Sequence, residues 1–329
     1  MLNAAYVLDP GAFDLIYGPA ERADIAKVVD VAGGPISGKD IAAHLEKLKD
    51  IEIIFSGWGG PVLDEKLLAG MPKLKAVFYG AGTIKGIVTD SFWQRNIPIT
   101  SSYAANAVPV AEFTLAQILF SLKAGWNCIM HARLQRSFNH PKMAGAYGST
   151  VGLVSLGMIG RRVAQLLQPF DVKVIAFDPI VTADAVRGLG IELVSLAQVF
   201  KESDVVSLHT PWLKVTENMI DGSLIASMKP NATLINTSRG AIINEVEMIE
   251  VLKERSDLWA VLDVTHPEPP GPASPLWELP NVILTPHIAG SIQGECRRMG
   301  RVVVDELNRF LRHEPLRFSI SREQAAVMA

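Results

Sequence analysis

Short apolar runs alternate with segments of helical periodicity along the whole chain. Strands are predicted at 4–8, 51–55, 74–78 and 97–100 in the first half, and at 172–177, 205–208, 233–236, 259–264 and 282–285 in the second. Between them, helices are predicted at 41–48, 63–68, 161–170, 222–228 and 245–253. This alternation predicts an α/β fold of parallel sheets flanked by helices, with five or six strands in the second half.

Two further helices divide the chain. Asn106 is predicted to cap a long helix with Pro109 in its first turn, and Ser291 to cap a final helix that packs back on the first half. An irregular segment, 133–149, is expected to follow the long helix. We therefore expect two doubly wound, Rossmann-like or flavodoxin-like domains with a cleft between them: a discontinuous substrate domain (1–103 plus 293–329) and a nucleotide-binding domain (104–292).

The stretch Val151–Gly160, VGLVSLGMIG, runs from an apolar segment into a helical pattern. Gly157 and Gly160 occupy the last two glycine positions of the dinucleotide fingerprint G-x-G-x-x-G, while Ser155 stands at the first. A glycine at 157 lets the backbone approach a pyrophosphate, and the helix N-terminus offers free N–H donors to it. A plain strand-to-helix turn remains the alternative for this stretch alone.

Asp178 follows the next predicted strand, 18 positions after Gly160. A carboxylate at this place reaches the ribose hydroxyls of a bound dinucleotide, and it would repel the 2′-phosphate of NADP. The unit from 151 to 178 therefore predicts that the cofactor is NAD.

Composition limits the other possibilities. With 329 residues, of which 49% are hydrophobic, two domains are expected. A net charge of −3 without basic blocks argues against nucleic-acid binding. Membrane insertion is not expected, because the longest apolar tract, 108–122, includes Glu112 and is too short. Acidic residues interrupt the N-terminus early, so a signal peptide is not expected. The two cysteines are far apart without metal-ligand spacing, so we expect free thiols in a cytoplasmic protein and no metal site.

Three polar clusters follow predicted strands of the second half: Thr237–Gly240 (TSRG), Asp263 with Glu268, and His287. They should meet at the carboxyl edge of the sheet. Reduction of a carbonyl by hydride needs a proton donor, for which an imidazolium held by a carboxylate is suited, and a guanidinium can bind a substrate carboxylate. Each residue taken alone is more often explained by an ordinary surface or loop role.

These clusters, read as TSRG, DVTHPEPP (263–270) and TPHIAG (285–290), resemble the D-isomer-specific 2-hydroxyacid dehydrogenase family, which includes phosphoglycerate and glycerate dehydrogenases. The resemblance covers essentially the whole chain. It implies an NAD(H)-dependent oxidoreductase, acting on CH–OH donors, that interconverts a D-2-hydroxy acid and its 2-oxo acid. It also implies a homodimer. The implied catalytic residues are Arg239, Glu268 and His287.

The resemblance further implies the residues that bind ligands. For the substrate these are Ala81, Gly82, Arg239 and His287. For the cofactor they are Gly157, Met158, Ile159, Gly160, Asp178, Pro179, His209, Thr210, Pro211, Thr237, Ser238, Asp263 and Gly290. His209 has a second interpretation, as another catalytic base, although a role in the cofactor loop is favoured.

The sequence departs from the family at Ser155, at Thr83–Lys85 after the substrate loop, and at Phe138, where a tryptophan is common. Two other functions stay open on the same scaffold. One is an NAD-sensing, corepressor-like binding protein, and the other is a phosphite dehydrogenase-like enzyme. Formate dehydrogenases carry glutamine where Glu268 stands, which argues against that activity.

Overall fold

The structure is a computed structural model that describes residues 1–138 and 141–328. Its contacts divide the chain into two compact units. The first unit comprises Met1–Ala107 and Ser291–Ala329, and the second comprises Val108–Gly290. The predicted domain limits themselves stay a prediction.

All strands are parallel within their sheets. In chain order they are β1 (Asn3–Val7), β2 (Asp30–Val31), β3 (Ile53–Ser56), β4 (Ala76–Tyr79), β5 (Ile99–Ser101), β6 (Thr150–Val154), β7 (Lys173–Phe177), β8 (Ile191–Leu193), β9 (Val205–Leu208), β10 (Thr233–Asn236), β11 (Trp259–Leu262) and β12 (Val282–Leu284). The predicted strands are confirmed to within a few residues.

The α-helices of the described residues are α1 (Pro10–Ile16), α2 (Pro19–Ala26), α3 (Leu45–Leu48), α4 (Glu65–Ala69), α5 (Asp90–Gln94), α6 (Tyr103–Leu122), α7 (Gly125–Gln135), α8 (Met158–Leu167), α9 (Leu196–Glu202), α10 (Gly222–Ala226), α11 (Glu245–Glu254), α12 (Cys296–Leu311) and α13 (Arg322–Val327). The predicted helix at 41–48 is in fact a 3₁₀ turn followed by the short α3. Helix α7 was not predicted, because none of its residues is buried and its sequence shows no clear apolar stripe.

The first unit has a five-stranded sheet in the order β2-β1-β3-β4-β5. This is the flavodoxin-like order of a doubly wound sheet. Strands β3 and β4 are buried along their whole length, since helices cover both faces. On one face α12 buries Met299, Val303 and Leu307 among the aromatic side chains of β3 and β4.

The second unit has a seven-stranded sheet in the order β12-β11-β10-β9-β6-β7-β8. The order of the strands along the chain reverses between β6 and β9, while the strands themselves stay parallel. This is the arrangement of a Rossmann fold, and the reversal is the switch point outside which such sheets bind ligands. The sheet exceeds the predicted five or six strands because β8 was missed. That strand has only three residues, none of them buried, so it lacks the apolar run that marked the others.

Both predicted helix caps are wrong. Helix α6 begins at Tyr103, so Asn106 lies inside it and Pro109 is beyond its first turn. Helix α12 begins only at Cys296, after a 3₁₀ turn. The two residues bond to each other instead, because the Ser291 N–H donates to Asn106 Oδ1 at 2.8 Å. The local sequence pattern does not reveal this bond, because the two residues lie far apart in the chain.

The estimate that the apolar tract is too short to cross a bilayer also fails. Helix α6 has 20 residues, and within the described ranges it is the one helix long and apolar enough to do so by length and composition. The buried core helix of a soluble protein meets the same criterion. Here Ala111, Ile118 and Leu122 are buried against strands of the second unit, which is the packing of a core helix.

Candidate active site

The phosphate site is predicted at the turn from β6 to α8. Gly157 is the N-cap of α8, so Met158 and Ile159 lie in the first turn, where N–H groups have no acceptor within the helix. A Cβ built on Gly160 would lie 2.2 Å from the carbonyl oxygen of Ser155, which means that close packing requires this glycine. A Cβ on Gly157 would meet no heavy atom within 4 Å. The space beside Gly157 is therefore open, as a bound pyrophosphate requires.

Asp178 lies directly beside this turn, at the end of β7. Its Oδ2 accepts the Leu156 N–H at 2.7 Å, and its Oδ1 accepts the N–H groups of Ile180 and Val181 at 2.9 and 3.0 Å. The carboxylate thus holds the phosphate turn as well as its own loop. Because each oxygen has two lone pairs, Oδ2 keeps one for a ribose hydroxyl. Pro179, which follows, is exposed.

The loop His209–Pro211 follows β9, the strand paired with β6 across the switch point. His209 is buried, its Nε2 lies 3.2 Å from the Ser207 hydroxyl, and burial lowers its pKa to about 4. The ring is therefore neutral at neutral pH. Thr210 Oγ1 lies 2.8 Å from the Ser155 hydroxyl, and the carbonyl of Pro211 accepts the Thr216 hydroxyl at 2.6 Å.

The loop Thr237–Gly240 is held by Asn236, a fully buried residue at the end of β10 that the sequence analysis missed. Asn236 Oδ1 accepts the Ser238 N–H at 3.0 Å and its hydroxyl at 2.8 Å, while Nδ2 donates to the Arg239 carbonyl at 2.9 Å. Thr237 is fixed by its hydroxyl, 3.0 Å from that of Thr114. The available signal was a polar residue ending an otherwise apolar strand.

Arg239 presents a largely unpartnered cation. Among the described residues its guanidinium makes one hydrogen bond, from Nη1 to the Ser238 carbonyl at 2.6 Å. Burial lowers the pKa of Arg239, and the nearby charge of Glu268 opposes that shift. The other guanidinium nitrogens remain available to an anion.

His287 and Glu268, 19 positions apart in sequence, form a direct pair. His287 Nδ1 lies 2.6 Å from Glu268 Oε1, and both side chains are about half exposed. Since Glu268 also acts electrostatically on Arg239, the structure brings the three predicted catalytic residues into one neighbourhood. The second ring nitrogen, Nε2, makes no hydrogen bond within the described part of the chain and can meet a substrate.

Asp263 anchors the turn that carries His287. Its Oδ1 accepts the Thr285 hydroxyl at 2.6 Å and the Ile288 N–H at 2.8 Å, and its Oδ2 accepts the Ala289 N–H at 2.9 Å. These bonds stabilise a turn in which His287 has a φ of 54°, a conformation that side chains disfavour. Asp263 was predicted only as a cofactor contact. Gly290 ends this turn and the second unit.

In the first unit, Ala81 and Gly82 form the turn after β4. The Ser101 hydroxyl contacts the carbonyl oxygens of both, at 2.9 Å for Ala81. The N–H groups of Ala81 and Gly82 donate to no acceptor within residues 1–138 and 141–328. Free N–H groups in such a turn are suited to bind an anion. Within the same residues, no group of three or more His, Cys, Asp or Glu side chains is placed to hold a metal ion.

Comparison with known proteins identifies the family of the chain. The family model for the NAD-binding domain of D-isomer-specific 2-hydroxyacid dehydrogenases matches residues 120–289. Glyoxylate reductase of Korarchaeum cryptofilum is 30% identical over 281 residues, which cover 82% of each protein. D-3-phosphoglycerate dehydrogenase of Methanocaldococcus jannaschii is 30% identical over 274 residues, covering 82% of this chain and 52% of that enzyme, so the chain spans about half of that relative.

A solved structure gives the same result. The apo form of D-mandelate dehydrogenase of Rhodotorula graminis is 25% identical, with a TM-score of 0.83 over 98% of both chains. The order of the seven strands, the open glycine turn and the Asp178 carboxylate fit a dinucleotide. The chain therefore belongs to the D-isomer-specific 2-hydroxyacid dehydrogenases and is an NAD-dependent oxidoreductase of that family.

Proposed function

We propose that this enzyme interconverts a D-2-hydroxy acid and its 2-oxo acid, with His287 as the acid/base. The observation that carries the proposal is the 2.6 Å contact between His287 Nδ1 and Glu268 Oε1, which leaves Nε2 free. When bound, NAD(H) supplies or accepts the hydride exchanged with C2 of the substrate. His287 Nε2 gives a proton to the substrate oxygen during reduction and takes it back during oxidation.

Glu268 supports this proton transfer in two ways. As the acceptor of the Nδ1–H group, it orients the ring so that Nε2 points away from it. It also selects the nitrogen that reacts, because the proton of Nδ1 is committed to Glu268 and the ring exchanges its other proton through Nε2. His209 does not fit the role of a second base, because it is buried and its pKa is about 4.

Arg239 binds the carboxylate of the substrate in this proposal. Arg239 is half-buried, and its guanidinium makes a single hydrogen bond to the residues that the structure describes, so a bidentate carboxylate would satisfy its remaining donors. In the first unit, the N–H groups of Ala81 and Gly82, which have no acceptor in the described part of the chain, are proposed to bind substrate as well.

The cofactor is proposed to lie along the carboxyl edge of the second sheet. Its pyrophosphate would contact the N–H groups of Gly157, Met158 and Ile159, where Gly160 allows the close packing of α8, and its ribose would bond to Asp178 beside Pro179. The remaining proposed contacts follow β9, β10, β11 and β12: His209, Thr210, Pro211, Thr237, Ser238, Asp263 and Gly290.

Replacement of His287 by alanine tests the mechanism. General acid/base catalysis contributes about 10²- to 10⁴-fold, so kcat should fall by that order while NADH affinity stays almost unchanged. His313→Ala, at an exposed histidine of the first unit, is the matched control and should retain full turnover. An unchanged kcat in His287→Ala would refute the assignment.

The side group of the substrate is found by a panel of oxo acids. Glyoxylate, hydroxypyruvate, phosphohydroxypyruvate, phenylpyruvate and 2-oxoisocaproate are each followed by NADH absorbance. Turnover of any of them supports an enzyme over a corepressor-like NAD sensor. Turnover of phosphite alone, with NAD, would indicate the phosphite dehydrogenase alternative.

We also propose a cytoplasmic homodimer that binds neither nucleic acid nor membranes. The two free cysteines, Cys128 and Cys296, support a cytoplasmic location. The net charge of −3 supports the proposal that the protein does not bind nucleic acid. Exposed apolar side chains on α6 and α7, namely Phe120, Ile129 and Leu134, support self-association through the second unit. Sedimentation at micromolar concentration measures the oligomeric state, and a monomer would contradict this part.

A further inference from the structure

Ser155 is an unusual residue for its place in the phosphate turn. It has a φ of 75°, in the left-handed region where a side chain is disfavoured and glycine is not. Glycine is also what the dinucleotide fingerprint has at this position. A serine here carries a conformational cost that a glycine avoids, so we expect a favourable contact of its side chain to offset that cost.

The Ser155 hydroxyl joins two loops. Its Oγ lies 2.8 Å from Thr210 Oγ1, and both residues are almost excluded from solvent, at 9% and 2% exposure. Thr210 Oγ1 also lies 3.5 Å from the Val154 carbonyl oxygen. When Ser155 donates to Thr210 and Thr210 donates to Val154, both hydroxyl protons are used and neither buried group lacks a partner.

The backbone of Ser155 is equally committed. Its N–H donates to the Phe177 carbonyl at 2.8 Å, and its own carbonyl oxygen lies against Gly160 of α8. The residue thus connects the start of α8 to β7 through its backbone and to the loop after β9 through its side chain. These elements surround the switch point of the sheet.

We propose that Ser155 is a positioning residue for the dinucleotide. The Ser155–Thr210 hydroxyl pair holds the phosphate turn against the loop His209–Pro211 before NAD binds, so that binding does not have to order these two loops. The proposal rests on the proposed placement of the pyrophosphate at Gly157. Ser155, where the fingerprint has glycine, thus supplies a hydroxyl contact with Thr210 that a glycine could not make.

A double-mutant cycle on NADH affinity tests the pair. One hydrogen bond contributes about two- to tenfold, so Ser155→Gly and Thr210→Val should each weaken NADH binding by that factor, as measured by fluorescence titration. The double variant should be no weaker than either single variant, because both remove the same bond. Thr210→Ser keeps the hydroxyl and should restore the wild-type affinity. In Ser155→Gly the loss should appear in the KM for NADH more than in kcat at saturating NADH, since the reacting groups are untouched.

A matched control separates positioning from general destabilisation. Ser195 forms a capping box with Gln198 on α9, so Ser195→Ala should lower the melting temperature without changing NADH affinity. If the effects of Ser155→Gly and Thr210→Val on affinity are absent or simply add, the positioning role is overturned, while the proposed dehydrogenase activity stands. If the wild-type enzyme shows no turnover with any oxo acid, the proposed function fails, and the cycle on NADH affinity still decides the role of Ser155.

Discussion

The buried imidazole of His209 should make the enzyme's stability depend on pH in a definite direction. Its pKa is about 4 in the folded protein, compared with 6.5 for a solvated histidine, and the cause is burial. Above pH 6.5 the ring is neutral in both the folded and the unfolded chain, so it contributes no pH dependence. As the pH falls below 6.5, the unfolded chain binds a proton that the folded protein excludes, and stability is lost.

The size of the effect follows from the shift. At 1.36 kcal/mol per pKa unit, a change from 6.5 to about 4 amounts to about 3 kcal/mol once the pH is below both values. At pH 5 the unfolded chain is already mostly protonated at this residue and the folded protein is not, which gives about 2 kcal/mol. That is a large fraction of the free energy of unfolding of an ordinary domain.

Urea denaturation at pH 7 and pH 5 measures this quantity in the wild type and in His209→Gln. Glutamine can still bond to the Ser207 hydroxyl but does not titrate, so the variant should lose about 2 kcal/mol less than the wild type between these two pH values. The exposed His313→Gln is the control and should follow the wild type. Equal pH dependence in His209→Gln and the wild type would refute the reasoning that the ring stays neutral, and it would reopen the role of a second base.

Three further variants test the site. Arg239→Lys should lower kcat/KM for the oxo acid by about tenfold or more, because an ammonium cannot form the bidentate fork; an unchanged kcat/KM excludes carboxylate binding. Asp178→Asn combined with Ile180→Arg, at a residue 84% exposed, should raise the preference for NADPH over NADH by about tenfold, and an unchanged ratio of kcat/KM values contradicts the ribose placement. Asp263→Ala leaves two backbone N–H groups without acceptors and should lower the free energy of unfolding by about 3 kcal/mol, whereas a loss near zero in urea titrations would show that the turn does not need the carboxylate.

Much of the fold could be predicted because the central strands are buried on both faces. The runs that became β3, β4 and β9 are mostly apolar, and such runs predict buried strands even when their neighbours in the sheet are unknown. Elements that depend on tertiary contacts could not be predicted from the sequence. The edge strand β2 has two residues, and β8 is partly exposed at the other sheet's edge.

The candidate site shows the same contrast between residues that the sequence predicts and residues that only the structure reveals. The set of Arg239, Glu268 and His287 was predicted from residue type and order, and the structure brings these three side chains together. Asn236 and the Asn106–Ser291 bond were not found, because an amide that holds a loop has no sequence pattern of its own. The link between Ser155 and Thr210 was missed for a similar reason, since two hydroxyls 55 positions apart become partners only when β6 and β9 pair.

At Asp178 and Asp263 a proposed role in cofactor binding coincides with a structural role. Each lies just past the carboxyl end of a parallel strand, where neighbouring loops begin and where a dinucleotide would bind. Each carboxylate accepts three hydrogen bonds from those loops, which leaves one of its four lone pairs for a ligand. Loss of activity in a variant at either position is therefore ambiguous by itself. Only the comparison of NADH affinity with unfolding free energy, measured on the same variant, separates the bond to the cofactor from the bonds that shape its site.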